Sequence, residues 1–178
     1  MKQVAAAALA LHRTKKPTIA AVDGVAAGAG MNLALGCDMV IASSRARFTE
    51  IFVRRGLTVD FGGTWLLPRI VGLQRAKELA LSGRIVGAAE AREIGLILDV
   101  VEPAALVEAA QSLAESFASG APVPQMFAKR TLDRSFELSF EDALEQESQD
   151  QVICFETDDV VEGIASFLEK RPPEFTGR

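Results

Sequence analysis

PTIAAVDGVAAGAGMNLALGCDMVIASSRARF, residues 17 to 48, carries the pattern that decides the fold. Thr18 to Val22 is an apolar run with β-branched residues and reads as a strand. Asp23-Gly24 is a turn signal. Val25, Ala26, Ala27, Gly28, Ala29 and Gly30 follow with almost no side-chain bulk. Met31 to Leu35 is helical in pattern and stops at Gly36, and Met39 to Ala42 is again strand-like. The order is strand, small-residue loop, helix, strand. A loop this slim lets backbone approach a ligand closely. The helix that follows begins with free N–H groups and a partial positive charge, a place to hold negative charge developing on oxygen. Tight packing of the loop under a sheet is the alternative. Phosphate loops do not fit: GxxxxGK[ST] needs a lysine that is absent, and GxGxxG from Gly28 needs glycine where Leu33 stands.

The 178 residues suffice for one domain with a real core. At 49% hydrophobic and 24% charged, the chain is globular rather than disordered. A net charge of −5 argues against a nucleic-acid surface. Cys37 and Cys154 are far apart and read as two reduced thiols, as in a cytoplasmic protein. His12 is the only histidine, which removes histidine-based zinc motifs and the serine triad. No apolar run reaches membrane-span length. Val4 to Leu11 faintly resembles a signal sequence, but basic residues follow at once, so residues 2–13 read as a helix leading into the first strand.

Beyond residue 48 the pattern is short and mixed to Gly56. Gly62-Gly63 is a turn, and Thr64 to Val71 reads as a helix with Pro68 near its middle, predicting a kink or a short helix. Further helices are predicted over Leu73–Leu81 and Ala88–Ile94, then a strand over Leu96–Val101. A long helix starts at Pro103, with Leu106, Ala109, Leu113 and Phe117 on one face, and residues 120–124 break it. The last third is helical: residues 125–136, a helix capped by Ser139 with Asp142 three on, and one capped by Thr157 with Asp158 and Asp159 in its first turn. Val161, Ile164, Ala165 and Leu168 line one face of the last helix.

With histidine, cysteine and metal chemistry set aside, proton transfer falls to the carboxylates. Asp60 stands between Val59 and Phe61 in a run otherwise apolar or glycine. There it would be partly desolvated, which makes a stronger base toward a carbon acid. It also reads as a turn aspartate bonding the Gly62-Gly63 amides. Glu50 is the weaker candidate and reads first as the cap of a short helix.

Together these residues resemble the crotonase superfamily, the enoyl-CoA hydratases and isomerases. The matching stretches are PTIAAVDGVAAGAGMNLALGCDMVIAS, ARF, GLTVDFGGTWLLPRIVG, LSGRIVGAAEAREIGLILDVV and EGIASFLEKRPPEFTG, in the family's order and covering essentially the whole chain. The resemblance implies an α/β fold, a spiral of ββα turns (the ClpP/crotonase fold), with a helical C-terminal part used for trimerisation. Residues 1–120 are then a partial core and 121–178 the helical oligomerisation region. The chain is expected to start well inside a family member, with the first strands ahead of it. The resemblance also implies an acyl-CoA thioester whose carbonyl oxygen is held by two backbone N–H groups. It places the second donor at Ala29 and the first in the part that precedes this chain. The substrate pocket is expected to be lined by Gly28, Gly30, Asn32, Phe52 and Gly62. The hydratases' two water-activating glutamates fall on Asn32 and Phe52, which cannot do that work. An acid at the position of Asp60 is typical of the dienoyl-CoA and ring-1,2-epoxyphenylacetyl-CoA isomerases, and AGAGMNLALG and GLTVDFGGTWLLPR look most like the latter. Phe167 and Lys170 resemble residues that reach coenzyme A, a ring against adenine and a cation near phosphate. They read first as a core phenylalanine and a solvated lysine.

The expectation is an acyl-CoA isomerase that shifts a double bond or rearranges an epoxide with Asp60 as its single base. The alternatives are an enoyl-CoA hydratase of fatty-acid β-oxidation and an inactive oligomeric relic. No cofactor or metal is expected, coenzyme A being part of the substrate. The resemblance implies a cytoplasmic homotrimer or dimer of trimers with no nucleic-acid or membrane partner.

Overall fold

The structure, a computed structural model, describes all 178 residues. They form two compact units, Met1–Thr14 with Thr18–Ser112, and Lys15–Pro17 with Leu113–Arg178. The first contains α1 (Lys2–His12), β1 (Ile19–Val22), β2 (Val25–Ala27), α2 (Ala29–Leu35), β3 (Met39–Ser43), β4 (Arg47–Thr49), a 3-10 turn (Ile51–Arg55), α3 (Gly63–Ser82), β5 (Val86–Gly87), α4 (Ala88–Glu93) and β6 (Asp99–Val101). The division falls inside α5 (Leu106–Ala118).

Pro17 to Phe48 folds largely as its pattern predicts. β1 and β3 pair in parallel, Ile19 opposite Met39, and β3 pairs in parallel with β6, Ile41 opposite Asp99. A parallel pair needs a crossover, and α2 lies within it. Asp38 fastens the start of β1, accepting from the Thr18 N–H (2.7 Å) and hydroxyl (2.8 Å). One expectation fails at the slim loop. Val25 to Ala27 is a strand, paired in parallel with β4, Val25 opposite Arg47, and β5 completes this second sheet on the other side of β4. Two alanines carry no strand signal of their own; the partner supplies it.

α3 also departs from expectation. Pro68 lies within it without interrupting it, and the break comes at Gly72, where φ 75° and ψ 159° leave the helical region. Only three of the six residues from Leu96 to Val101 are strand, while Leu96 and Ile97 bury themselves in the turn before it. The core of this unit gathers Met31 and Leu35 from α2, Val40 and Ala42 from β3, Phe48 from β4 and Leu79 from α3. Burial of the larger of these side chains contributes about 1.5–3 kcal/mol each.

The second unit is helical: the end of α5, then α6 (Pro122–Asp133), α7 (Phe140–Phe155) and α8 (Asp158–Glu169). α6 begins three residues earlier than predicted because Pro122 occupies the first helical turn, where its missing N–H costs nothing. Arg130 on α6 pairs with the nearly buried Asp150 on α7, which also accepts from Gln146 at 3.0 Å. Ser139 caps α7 as expected, accepting from the Asp142 N–H at 3.0 Å. Thr157 holds the N-cap of α8 without a side-chain cap bond; its hydroxyl donates back to the Cys154 carbonyl at 2.7 Å. Asp159 is buried and accepts the Thr176 and Gly177 N–H groups at 2.7 and 2.9 Å, fastening the C-terminal tail along α8. Val161, Ile164 and Leu168 are exposed rather than packed within this unit. No helix is long and apolar enough to cross a membrane.

Candidate functional site

The first unit brings α2, the end of β4 and the start of α3 together. Gly28 caps α2 with φ 54°, a left-handed geometry that favours glycine, and its N–H donates to the Thr49 carbonyl at 2.9 Å. A Cβ there would meet the Phe52 ring at 3.3 Å, so the ring lies directly against this backbone. Ala29 is the first helical residue of α2, and the first intrahelical bond runs from Asn32 N–H to Gly28 carbonyl. Ala29 N–H therefore belongs to the turn whose donors have no partner inside the helix. Gly30, one residue on, is exposed with open space around it.

One turn into α2, Asn32 is fully buried. Its amide nitrogen donates to the Asp60 carbonyl at 2.9 Å and, more weakly, to the Glu50 carboxyl at 3.5 Å. Asp60 enters α3 through two left-handed residues, Phe61 (φ 51°) and Gly62 (φ 82°). A bulky residue there costs on the order of 1–3 kcal/mol, the kind of strain that accumulates at functional sites. The expected turn bond is made by the Asp60 carbonyl, which accepts Gly63 N–H at 3.0 Å. The side chain is left out of it, and its Oδ1 is buried without a hydrogen-bond partner. Gly63 fits because it lacks a side chain: a Cβ would come within 2.3 Å of the Asn32 amide.

Glu50 corrects the sequence reading. It occupies the N-cap position of the 3-10 turn but makes no cap bond, and its side chain turns inward to 1% exposure. Burial pushes its carboxyl up to about 7, against the Asn32 bond, and the negative charge of nearby Asp60 adds to the rise. No group of three or more histidine, cysteine, aspartate or glutamate side chains is placed to hold a metal ion.

The sequence profile described as "Enoyl-CoA hydratase/isomerase" matches residues 1–178. The chain belongs to the enoyl-CoA hydratase/isomerase family. It is 42% identical to the 1,2-epoxyphenylacetyl-CoA isomerase of Escherichia coli K12 over 94% of its own length and 64% of that protein. It is 41% identical to a short-chain-enoyl-CoA hydratase of Clostridium acetobutylicum, over 92% of its length and 63% of the relative. The crystal structure of an enoyl-CoA hydratase from Bacillus anthracis superposes with a TM-score of 0.96 at 34% identity, over 99% of this chain and 69% of that one. The chain thus spans just under two thirds of the curated relatives it matches. Such close superposition shows the crotonase-type fold that the sequence stretches predict.

Within this family member the expected site residues divide. Gly28, Ala29, Asn32, Phe52, Asp60 and Gly62 lie on the segments that converge in the first unit, and Glu50 joins them. Phe167 and Lys170 lie in the second unit at the C-terminal end of α8, Lys170 as its left-handed cap. Phe167 is 81% exposed, so it is not a core phenylalanine.

The raised Glu50 carboxyl has a consequence for stability. Its folded value, about 7, lies above its ordinary 4.5, so its neutral form is favoured by folding. The associated stability is complete below 4.5 and is lost as pH rises through 7, because ionisation then places a charge in the core. Each tenfold change in the ionisation equilibrium corresponds to about 1.4 kcal/mol, which bounds the loss at about 3 kcal/mol. Glu50→Gln removes the ionisation. Urea unfolding is expected to show the Glu50→Gln variant gaining on the wild type as pH is raised from about 5 to about 8. An equal stability difference at both ends of that range contradicts this.

Proposed function

We propose that the protein is an acyl-CoA isomerase that works through an enolate with Asp60 as its base. The observation that carries this reading is the Asp60 carboxyl, held at a strained turn with a buried, unpartnered oxygen. Ala29 N–H at the start of α2 polarises the thioester carbonyl. That lowers the cost of removing a proton from the adjoining carbon system. Asp60 takes the proton and returns it at the other end of the allylic unit, so the double bond moves and nothing is gained or lost. In an epoxide substrate the same enolate relay reorganises the ring. Asn32 and Phe52, where the resemblance puts the hydratases' glutamates, supply no acid: the amide is taken up by Asp60 and Glu50, and the ring lies on Gly28.

Enoyl-CoA hydration is the second reading. The 41% identity to a short-chain-enoyl-CoA hydratase favours it, as does the presence of a second carboxyl, Glu50, beside Asp60. Product masses from a 2-enoyl-CoA separate the two: an isomer has unchanged mass, whereas a hydrate gains a water.

The second unit supports self-association, with a trimer or dimer of trimers as the proposed assembly. Phe136, Phe140, Phe155, Val161, Phe167 and Leu168 are all exposed on it, and a groove of about 680 Å³ between α6 and α7 is lined partly by Phe127, Leu132 and Phe140. Exposed apolar side chains in this number support that reading. Light scattering is expected to give a multiple of the chain mass; a stable monomer at micromolar concentration overturns the assembly.

A further inference from the structure

Three oxygens gather around α2 and the start of α3 with no hydrogen-bond donor: Asn32 Oδ1, Glu50 Oε1 and Asp60 Oδ1. All three are buried, and Asn32 and Glu50 are buried as whole side chains, at 0% and 1% exposure. The only donor among these side chains is the Asn32 NH2, and the Asp60 carbonyl and Glu50 Oε2 already occupy it. The groups acting on the Glu50 carboxyl are Asn32 and Asp60, and neither is a cation. Arg54, on the turn that Glu50 leads into, is exposed and gives its Nε–H to the Ser82 carbonyl at 3.0 Å. Arg55 beside it is also exposed. The arrangement therefore has acceptors in excess, and a buried acceptor without a donor is destabilising.

We propose that Glu50 is a positioning residue that works as a neutral carboxylic acid, its O–H supplying the donor that the acceptors around Asn32 and Asp60 lack. An ionised Glu50 fits the arrangement poorly, since it would offer acceptors only and place a second negative charge beside Asp60. A carboxylic acid, by contrast, presents one donor to the cluster and keeps Asn32 oriented on the Asp60 carbonyl. Through that bond it fixes the turn from which Asp60 acts. The carboxyl's rise to about 7 is consistent with a neutral resting form. Loss of that proton puts charge next to the site where enolate charge develops, which opposes the reaction.

The inference rests on Asp60 being the base, so both are tested in one set of variants. Isomerisation and α,γ-proton exchange are measured on an enoyl-CoA from about pH 5.5 to about pH 9.5, a range that brackets the Glu50 ionisation. In the wild type, kcat/KM is expected to fall by up to about tenfold per pH unit above about 7. Glu50→Ala, which removes the donor and loosens the turn, is expected to lose on the order of 100-fold in kcat with little change in KM. Glu50→Gln, which keeps an N–H donor at that position and cannot ionise, is expected to recover most of that loss and to abolish the falling limb. A folded Glu50→Gln protein that is as slow as the alanine variant, or that keeps the wild-type falling limb, overturns the proposal. If Glu50→Ala does not fold, the shape of the Glu50→Gln pH profile decides alone. Asp60→Asn separates the two claims. Its loss of exchange, together with an unaltered limb in Glu50→Gln, sinks the role of Glu50 only, whereas retained exchange sinks the Asp60 reading itself.

Discussion

Asp60→Asn is expected to abolish detectable isomerisation while leaving acyl-CoA affinity within a few-fold. The change keeps size and shape and removes basicity, and loss of a general base typically costs on the order of 100- to 10,000-fold. The main chain gives reason to expect the fold to survive. The Asp60 carbonyl, not its side chain, accepts from Asn32 and Gly63, and the left-handed pair Phe61-Gly62 that aims the residue does not involve its carboxyl. Binding is carried by the rest of the substrate, so the effect belongs in kcat. Hydrogen–deuterium exchange of the enoyl-CoA in heavy water reads it directly. Exchange at the wild-type rate by the Asp60→Asn variant would remove Asp60 as the base and leave Glu50 as the remaining carboxyl of the cluster.

Ala29→Pro is expected to cost on the order of 100- to 1000-fold in kcat, the range seen when one donor to an oxyanion is removed. This substitution isolates a backbone group. Ala29 is the first residue of α2, the position at which proline is best accommodated, because its fixed φ is helical and its N–H makes no intrahelical bond. Stability should therefore change little, while the one hydrogen proposed to meet the thioester oxygen disappears. Thermal unfolding and turnover measured side by side distinguish the two effects. Undiminished turnover in a folded Ala29→Pro protein shows that the carbonyl is held elsewhere.

Much of the chain's local pattern was legible in the sequence. Asp23-Gly24, Gly36, Ser139 and the apolar runs of β1 and β3 announce their own structure, and α2 ends at Gly36 as read. What was not legible depends on partners distant in sequence. β2 is a strand only because β4 runs beside it, and its alanines say nothing of that. The interruption of α3 passed from Pro68 to Gly72 because only Gly72 leaves helical geometry. Asp159 stands in the first turn of α8 as read, and it also binds tail amides from residues 176 and 177, which no local signal announces.

The candidate site shows the same division. Asp60 stood out because an acid in a glycine-flanked apolar run has few structural reasons to be there. Glu50 did not, because an acid before a short helix has an ordinary one. Its burial becomes visible only when Asn32, eighteen residues earlier in the chain, is seen donating to it. The shortage of donors that favours a neutral Glu50 requires all three side chains together, and they come from three separate segments of the chain.

The central claim is that this family member moves protons along an acyl chain without adding water. It is tested most directly by incubating the protein with a trans-2-enoyl-CoA in heavy water and following the γ-carbon by NMR alongside product mass. The account predicts deuterium at the γ-carbon and formation of the 3-enoyl isomer, with no 3-hydroxyacyl product. A 3-hydroxyacyl-CoA formed with no deuterium at the γ-carbon contradicts it and establishes hydration instead.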